Sequence, residues 1–291
     1  MGNALHQQFK LYYPTAKRND NMKIFDTHTH VFPDKVAERA VAHLRELSGF
    51  IPAHTNGTFS DHAEKSLAAG YAGWMNCPVV TRPGQAQSIN QWAAQHNSWP
   101  ALSLGAVHPD DEDVIGILQS IMDMGLPGLK FHPEYQCFDP LEPRLAHIWA
   151  FCQEHRLPIL FHAGQDIGFK PPYHTSPATF AELARRYPEL KIVAAHTGGW
   201  KCWEQVEELL PGTGVFIDTS FSIPFMQDKK QMARIIRKLG VDQVMFGTDS
   251  PWQELKEAAD EIACCGLAED ELQDVFWNNA CRFWKLDRFC K

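Results

Sequence analysis

Residues 23–30 combine a short apolar run with two closely spaced histidines, in the order Lys23-Ile24-Phe25-Asp26-Thr27-His28-Thr29-His30. In a β-strand, side chains two positions apart face the same side, so His28 and His30 would point the same way. Two imidazoles at this spacing can hold one divalent cation, because histidine is a common metal ligand. Taken alone, the motif also fits two half-buried histidines. The segment therefore predicts a strand that ends at a candidate site.

Seven further short apolar runs follow, separated by amphipathic segments of helical periodicity. They occupy residues 72–80, 101–107, 128–131, 158–161, 191–195, 215–218 and 243–246. Continuous apolar runs are typical of parallel strands that are buried on both faces. Eight such strands that alternate with helices predict an α/β fold, a single (β/α)8 TIM barrel. An open doubly wound sheet is the competing architecture, but no glycine-rich phosphate loop follows the first strand.

The length of the chain suits one domain. A (β/α)8 barrel needs roughly 250 residues, so we expect the barrel domain to fill residues 22–291 of the 291-residue chain. Residues 1–21 are polar and are expected to form a short N-terminal extension.

Charge and hydropathy argue against two classes of partner. The net charge is −8 without a basic cluster, so we expect no nucleic acid partner. No apolar run approaches the roughly 20 residues of a membrane span, and residues 1–21 lack the apolar core of a signal peptide. We expect a cytoplasmic protein that acts on a small molecule, and the sequence allows a homodimer. The eight cysteines are expected to be reduced and mostly buried.

Three further polar side chains follow predicted strands. His162 follows the fifth strand, His196 the sixth and Asp249 the eighth. Each could simply be a hydrogen-bonded residue at a strand end. Active sites of (β/α)8 barrels lie at the C-terminal ends of the strands, however, so these side chains would meet His28 and His30. A buried carboxylate such as Asp249 is costly unless it is paired or binds a cation. The five residues together predict a metal centre.

The ordered motifs resemble the metal-dependent amidohydrolase superfamily, in particular its amidohydrolase-related group (amidohydrolase family 2). They are Asp26-Thr27-His28-Thr29-His30, His162-Ala163-Gly164, His196-Thr197-Gly198-Gly199, Gly247-Thr248-Asp249-Ser250-Pro251 and Trp277-Asn278-Asn279-Ala280-Cys281-Arg282-Phe283. The resemblance implies one or two divalent ions, Zn²⁺ first and Mn²⁺ second. The implied ligands are His28, His30, His162 and Asp249. His196 would bind a second metal or would bind and polarise the substrate.

The resemblance also implies an activity. Asp249, with His196 as a second catalytic residue, would take the proton of a metal-bound water and return it to the leaving group. The main prediction is a metal-dependent hydrolase that cleaves a C–N or ester bond of a small molecule. The alternative is a lyase, namely a non-oxidative decarboxylase or hydratase of a small unsaturated or aromatic acid, because the same group includes such enzymes and their metal ligands are the same.

Two other functional classes fit less well. A catalytically inactive barrel used as a binding scaffold would have lost a ligand, and all five are present. A phosphatase or nuclease would act on an anionic substrate, whereas this chain is acidic and lacks a phosphate-binding loop.

The fourth strand adds Lys130, His132 and Glu134 as candidates for substrate contact or metal bridging. Lys130 either carries a carbamate that bridges two metals, as in some binuclear branches of the superfamily, or pairs with a carboxylate. Lys130 and His132 would face the same way.

Several other residues receive provisional assignments. Trp200 and Trp252 follow site motifs and are expected to line the pocket. Asp26 is expected to orient a ligand histidine or to pack at the barrel rim. His54 and His174 are placed on loops within reach of substrate. The other histidines away from strand ends are assigned to the surface, helix caps or loops: His6, His43, His62, His96, His147 and His155.

Overall fold

A ring of short parallel strands forms the centre of the fold. The computed structural model describes residues 22–228 and 230–290, so the predicted extension of residues 1–21 lies outside the described residues. The strands are β1 (Phe25–Thr29), β2 (Gly73–Asn76), β3 (Ala101–Ser103), β4 (Gly105–Ala106), β5 (Leu129–Phe131), β6 (Ile159–Phe161), β7 (Ile192–Ala194), β8 (Phe216–Asp218) and β9 (Val244–Met245). They form two parallel sheets, β1-β2-β3 and β4 to β9 in sequence order.

The third predicted strand is divided at Leu104 into β3 and β4. Leu104 N donates to Asn76 O at 2.9 Å, on the side of β2, whereas Gly105 N donates to Gly128 O at 2.8 Å, on the side of β5. The chain thus exchanges one neighbour for the other between consecutive residues. For this reason β3 and β4 together occupy the place of one strand.

Hydrogen bonds between β1 and the residues after β9 join the two ends of the ring. Thr27 N donates to Phe246 O at 2.9 Å, and Asp249 N donates to His28 O at 2.8 Å. Thr29 and Ser250 form an isolated parallel bridge. Counting β3 and β4 as one, eight parallel strands form the predicted (β/α)8 barrel. This junction places Asp249 beside His28.

Helices follow the strands and cover the outside of the ring. They are α1 (Asp34–Leu47), α2 (Phe59–Ala68), α3 (Ala86–Gln95), α4 (Val114–Asp123), α5 (Pro133–Gln136), α6 (Ala146–Glu154), α7 (Pro177–Arg186), α8 (Trp203–Leu209), α9 (Gln231–Leu239), α10 (Leu255–Ala263), α11 (Glu269–Gln273) and α12 (Asn279–Trp284). A π-helical turn, Asp274–Asn278, connects α11 to α12.

Alternation along the strands divides the core into two layers. In β6, Ile159 and Phe161 pack in the layer shared with the helices, whereas Leu160 packs in the barrel interior. By the same alternation, Lys130 of β5 faces inward between two outward-facing residues, as its position in the sequence predicted. The interior cluster ends in Phe283 and Trp284 of α12. Hydrophobic side chains therefore fill the lower part of the barrel, and Lys130 marks the start of the polar part.

Two further expectations can be compared with the described residues. The eight cysteines have free thiols, but only Cys77, Cys152 and Cys265 are fully buried, so the expectation of mostly buried thiols is wrong. Within residues 22–228 and 230–290, no helix is both long and apolar enough to cross a membrane.

Gly164, directly after His162-Ala163, lies where two backbone segments pack closely at the strand ends. Its φ is +85°, and a Cβ placed there would lie 2.3 Å from Trp200 N. Gly84 has a matching φ of +83° but no heavy atom within 4 Å of such a Cβ. We expect Gly164→Ala to lower the free energy of unfolding by about 2 kcal/mol more than Gly84→Ala, because both variants strain the backbone and only the first must also displace a neighbouring backbone. Urea unfolding measures both; equal losses would contradict this account.

Candidate metal centre

One cavity of about 490 Å³ opens at the C-terminal ends of the strands. Its wall includes Trp200 and Trp252, as predicted from the sequence. It also includes seven of the eight predicted site residues: His28, His30, Lys130, His132, His162, His196 and Asp249. Glu134 is buried but is not part of this wall. The fold thus gathers residues from five strand ends around a single space.

His28, His30 and Asp249 form the tightest group in this cavity. His28 Nε2 lies 3.2 Å from His30 Nε2. Asp249 Oδ1 lies 3.1 Å from His30 Nε2 and 3.4 Å from His28 Nε2. The three atoms come from β1, from the residue after it, and from the loop after β9. The hydrogen bonds across the barrel junction hold these two chain segments together.

The outer nitrogens of the two imidazoles carry the protons. His28 and other neighbours lower the pKa of Asp218 despite its burial, so this carboxylate is ionised and can only accept hydrogen bonds. His28 Nδ1 therefore donates to Asp218 Oδ2 at 2.9 Å. His30 Nδ1 donates to the carbonyl oxygen of Cys77 at 2.9 Å. Each Nε2 atom therefore presents a lone pair to the other and to the Asp249 carboxylate. Burial also lowers the pKa of His28 to about 3, so this imidazole is neutral and carries a single proton near neutral pH.

The donor set fits a divalent cation. When both imidazoles carry their proton on Nδ1, three electron-pair donors face one another at 3.1–3.4 Å. Around a tetrahedral ion with metal–nitrogen distances near 2.05 Å, ligand atoms lie about 3.3 Å apart. Imidazole and carboxylate ligands suit Zn²⁺ or Mn²⁺ better than Ca²⁺. The pKa of Asp249, which burial alone would raise, is lowered to about 2 by contacts with His30, His196 and His28, so the carboxylate is ionised.

A pair of residues that the sequence did not single out supports this group from behind. Asp218, the last residue of β8, accepts from His28 and from the Ser220 hydroxyl. Ser220 Oγ and Ser220 O lie 3.0 and 3.2 Å from His196 Nδ1, which therefore carries a proton. Asp218 ends a strand, as Asp249 nearly does, and this position was the one signal in the sequence that could have identified it.

His162 and His196 lie next to the three-residue group and contact each other. His196 Nε2 lies 3.0 Å from His162 Nδ1. One of these two nitrogens donates to the other, and His162 Nε2 lies 3.3 Å from the carbonyl oxygen of Gln165. The structure therefore brings His28, His30 and Asp249 into one cluster and places His162 in a second one.

The second cluster consists of His132, His162 and Asp166. The rings of His132 and His162 stack with centroids 4.1 Å apart. Asp166 Oδ2 lies 3.4 Å from His132 Nε2 and 3.7 Å from His162 Nε2. Burial raises the pKa of Asp166 to about 6, so this carboxyl can hold a proton near neutral pH. Asp166 was missed in the sequence because it lies in a loop, where no strand or helix periodicity marks it.

Lys130 and Asp26 occupy the floor of the site. Lys130 Nζ lies 3.0 Å from His28 Nε2, and burial lowers the pKa of this ammonium group. Asp26 accepts from the backbone nitrogens of His28 and Thr248 at 3.1 and 3.0 Å, and from the Thr248 hydroxyl at 2.6 Å. It therefore orients two backbone segments rather than an imidazole ring.

Two histidines outside the metal centre, His174 and His62, make specific side-chain contacts. Glu134 of α5 accepts from His174 N at 2.6 Å and contacts His174 Nδ1 at 2.9 Å, so the pair ties α5 to the loop before α7. His62 was assigned to the surface, caps or loops, and this was wrong. It is fully buried, with its ring nitrogens 3.1 Å from the hydroxyls of Ser250 and Ser66.

Comparison with known proteins gives one curated relative and many solved structures. The γ-resorcylate decarboxylase of Polaromonas sp. (strain JS666 / ATCC BAA-500) is 25% identical over 122 residues, which cover 36% of this chain and 37% of that enzyme. The match thus spans little more than a third of that enzyme's length.

Two solved structures illustrate the shared fold. The 5-carboxyvanillate decarboxylase of Novosphingobium aromaticivorans DSM 12444, complexed with manganese and 4-hydroxy-3-methoxy-5-nitrobenzoic acid, has a TM-score of 0.69 at 15% identity, over 92% of this chain and 97% of that one. A putative 2-pyrone-4,6-dicarboxylic acid hydrolase from Pseudomonas putida has a TM-score of 0.65 at 15% identity, over 92% and 99%.

The family assignment rests on the whole barrel. Residues 25–286 match the amidohydrolase family from β1 to the end of the closing helices. This range includes all five predicted metal ligands and the order of motifs noted in the sequence. The chain therefore belongs to the amidohydrolase family.

Proposed function

We propose that this protein is a metal-dependent, non-oxidative decarboxylase of a small aromatic carboxylic acid. The observation that carries the proposal is the position of one buried lysine beside the three-residue group. A cation at His28, His30 and Asp249 and the ammonium group of Lys130 would together present positive charge to one carboxylate. The curated relative and the manganese-containing neighbour are decarboxylases, which supports the lyase alternative better than the hydrolase that we expected first.

Different residues would bind the ion and orient its ligands. His28, His30 and Asp249 would bind it, and Asp218 would fix the His28 tautomer. His162, which lines the same cavity, remains a predicted further ligand. A bound divalent cation supplies Lewis-acid charge that attracts a carboxylate or phenolic oxygen. Mn²⁺ joins Zn²⁺ as a leading candidate because the neighbouring decarboxylase contains it.

The remaining wall of the cavity favours loss of CO2. Apolar side chains such as Ile89, Trp92 and Trp252 line it. The cation and Lys130 would hold the carboxylate, whereas the apolar wall would surround the ring and the neutral CO2 that leaves it. Lys130 would orient the reactant anion, and the apolar wall would exclude water from it. Exclusion of water favours the transition state, in which the negative charge is more dispersed than in the reactant.

The reaction needs one proton at the ring carbon. The bond between the ring and the carboxyl carbon breaks, its electron pair stays on the ring, and a proton adds to that carbon. We assign this proton to Asp166, which can hold one near neutral pH, whereas Asp249 is ionised. His132 Nε2 faces Asp166 Oδ2 and would stabilise the carboxylate that remains.

A hydrolase is the second candidate. The observation in its favour is the same ionised Asp249, which could accept a proton from an attacking water. The two activities differ in their products, because a decarboxylase releases the carboxyl carbon as CO2 and a hydrolase adds water across a bond.

The ion site can be tested by metal content. We expect His30→Ala to lower bound Mn²⁺ or Zn²⁺ at least tenfold, because one of three close ligands is lost. His147 lies exposed on α6, so His147→Ala is the matched control and should retain the metal. Inductively coupled plasma mass spectrometry after dialysis measures both. Equal metal content in the two variants would remove His30 from the site.

The activity can be tested with carboxyl-¹³C-labelled γ-resorcylate and related hydroxybenzoates. We expect the manganese-loaded protein to release ¹³CO2, and a chelator to abolish the release until metal is restored. The hydrolase alternative is measured in parallel with phenyl esters and lactones in H2¹⁸O. Release of hydrolysis products containing ¹⁸O, without any ¹³CO2, would overturn the proposal in favour of the hydrolase.

The proton assignment predicts different effects for two aspartates. We expect Asp166→Asn to keep its metal and to lower kcat at least 100-fold, because an amide cannot donate the acidic proton. Asp249→Asn should lose both metal and turnover while remaining folded. Metal analysis, circular dichroism and ¹³CO2 release distinguish the two. A kcat for Asp166→Asn within threefold of the wild-type value would exclude Asp166 as the proton donor.

A further inference from the structure

The positive charge of the cavity is confined to one end. Among the described residues that line it, Lys130 is the one lysine or arginine, and no arginine contributes. Lys130 is 1% exposed and lies against His28, so its charge acts at the buried end beside the metal ligands. Two other cations lie next to wall residues, Lys201 over the Trp200 ring and Arg45 at the Ile51 carbonyl oxygen, but neither lines the cavity. A second carboxylate bound farther along the described wall would therefore lose its hydration without a lysine or arginine of that wall to compensate.

Helix α1 extends across the mouth of the cavity. It begins at Asp34, four residues after His30. At its other end, Leu47 lies close to the loop after β6, where a Cβ placed on Gly168 would come within 3.5 Å of Leu47 Cβ. α1 therefore runs from the side of the first cluster toward the loop that carries Asp166.

The inner face of α1 and its neighbours are apolar. Val36 and Leu44 both line the cavity, and the helical rise over the eight positions from one to the other is about 12 Å. The wall continues in half-buried side chains from the preceding loop, the following loop and α3: Phe32, Ile51, Ile89 and Trp92. This apolar wall is longer than a single aromatic ring.

Two further observations indicate a bulky ligand. A cavity of about 490 Å³ lies within the range of sites that bind drug-sized molecules, of about 300–1,000 Å³. Leu47, Phe50 and Ile167 are 39%, 67% and 41% exposed, and they lie on α1, just after it and in the adjoining loop. Ile167 lines the cavity, and Leu47 and Phe50 lie close in sequence to Leu44, Ser48 and Ile51, which line it, so apolar surface is available near the cavity for an apolar group.

We infer that the substrate is a monocarboxylic acid whose ring carries an apolar substituent that packs against α1. The single carboxylate would bind at Lys130 and the cation, and the substituent would contact Val36, Leu44 and Ile51. The inference rests on the proposed function for the placement of the carboxylate. It excludes aromatic dicarboxylic acids as preferred ligands.

Binding measurements test this inference separately from turnover. The manganese-loaded protein is titrated calorimetrically with salicylic acid, 4-phenylsalicylic acid, 5-phenylsalicylic acid and 2-hydroxyterephthalic acid. We expect at least one phenyl isomer to bind tenfold or more tightly than salicylic acid, because burial of the added ring removes apolar surface from water. 2-Hydroxyterephthalic acid should bind at least tenfold more weakly than salicylic acid. Phenyl isomers that bind no more tightly, or a diacid that binds as well as salicylic acid, would overturn the inference.

Matched variants locate the substituent. Leu44→Asp should reduce the preference for the phenyl isomer to within about twofold of salicylic acid, whereas Leu67→Asp should leave it unchanged. Leu67 is 78% exposed on α2 and does not line the cavity. Ile51→Asp, in the loop after α1, is a second variant that perturbs the same wall without changing a helix, and thermal melting checks that each variant folds. An unchanged preference in both folded cavity variants would overturn the placement against α1.

The titrations and the ¹³CO2 measurements test the substrate class and the decarboxylase activity separately. Tighter binding of a phenyl isomer without ¹³CO2 release from any acid would overturn the decarboxylase and support the shape of the pocket. Decarboxylation of γ-resorcylate without any phenyl preference would support the decarboxylase and overturn the substrate class.

Discussion

Electrostatic repulsion between three electron-pair donors is the constraint on which the arrangement of this site depends. His28 Nε2, His30 Nε2 and Asp249 Oδ1 lie within 3.4 Å of one another, and the outer nitrogens of both rings donate elsewhere. Such an arrangement is unfavourable inside a protein unless a positive charge compensates it. Lys130 supplies one such charge, and a divalent cation would supply the rest. The fold maintains the arrangement by joining β1 to the loop after β9, where Asp26 holds the backbone of both segments.

The barrel and much of the site could be predicted from local patterns. Short apolar runs with helical segments between them determine the order of parallel strands, and in a barrel the ends of such strands meet at one face. His28, His30 and Asp249 were identified in this way. Strand alternation also placed Lys130 inside, because residues that alternate along a buried strand face opposite layers. The positions of these side chains could be predicted because they depend only on period and chain order, and their roles as metal ligands stay predictions.

The remaining features of the site depend on distances across the barrel, and sequence periodicity does not predict such distances. His162 and His196 end strands as His28 nearly does, yet they contact each other rather than completing the three-residue group. Asp166 reaches the cavity from a loop, and loop geometry has no repeating pattern. His62 became buried because α2 packs against the loop that carries Ser250. The family resemblance gave hydrolysis as the first prediction, because the same ligands serve both reactions and do not distinguish them. Lys130 beside the three-residue group and the decarboxylases among the relatives support the proposed decarboxylation instead.

Anomalous X-ray diffraction from crystals grown with Mn²⁺ would show directly whether His28, His30 and Asp249 bind an ion. A peak at the manganese edge locates the ion independently of any substrate. We expect a peak within about 2.0–2.3 Å of His28 Nε2, His30 Nε2 and Asp249 Oδ1, with Lys130 beside it. Manganese peaks confined to surface carboxylates, with these three atoms uncoordinated, would contradict it.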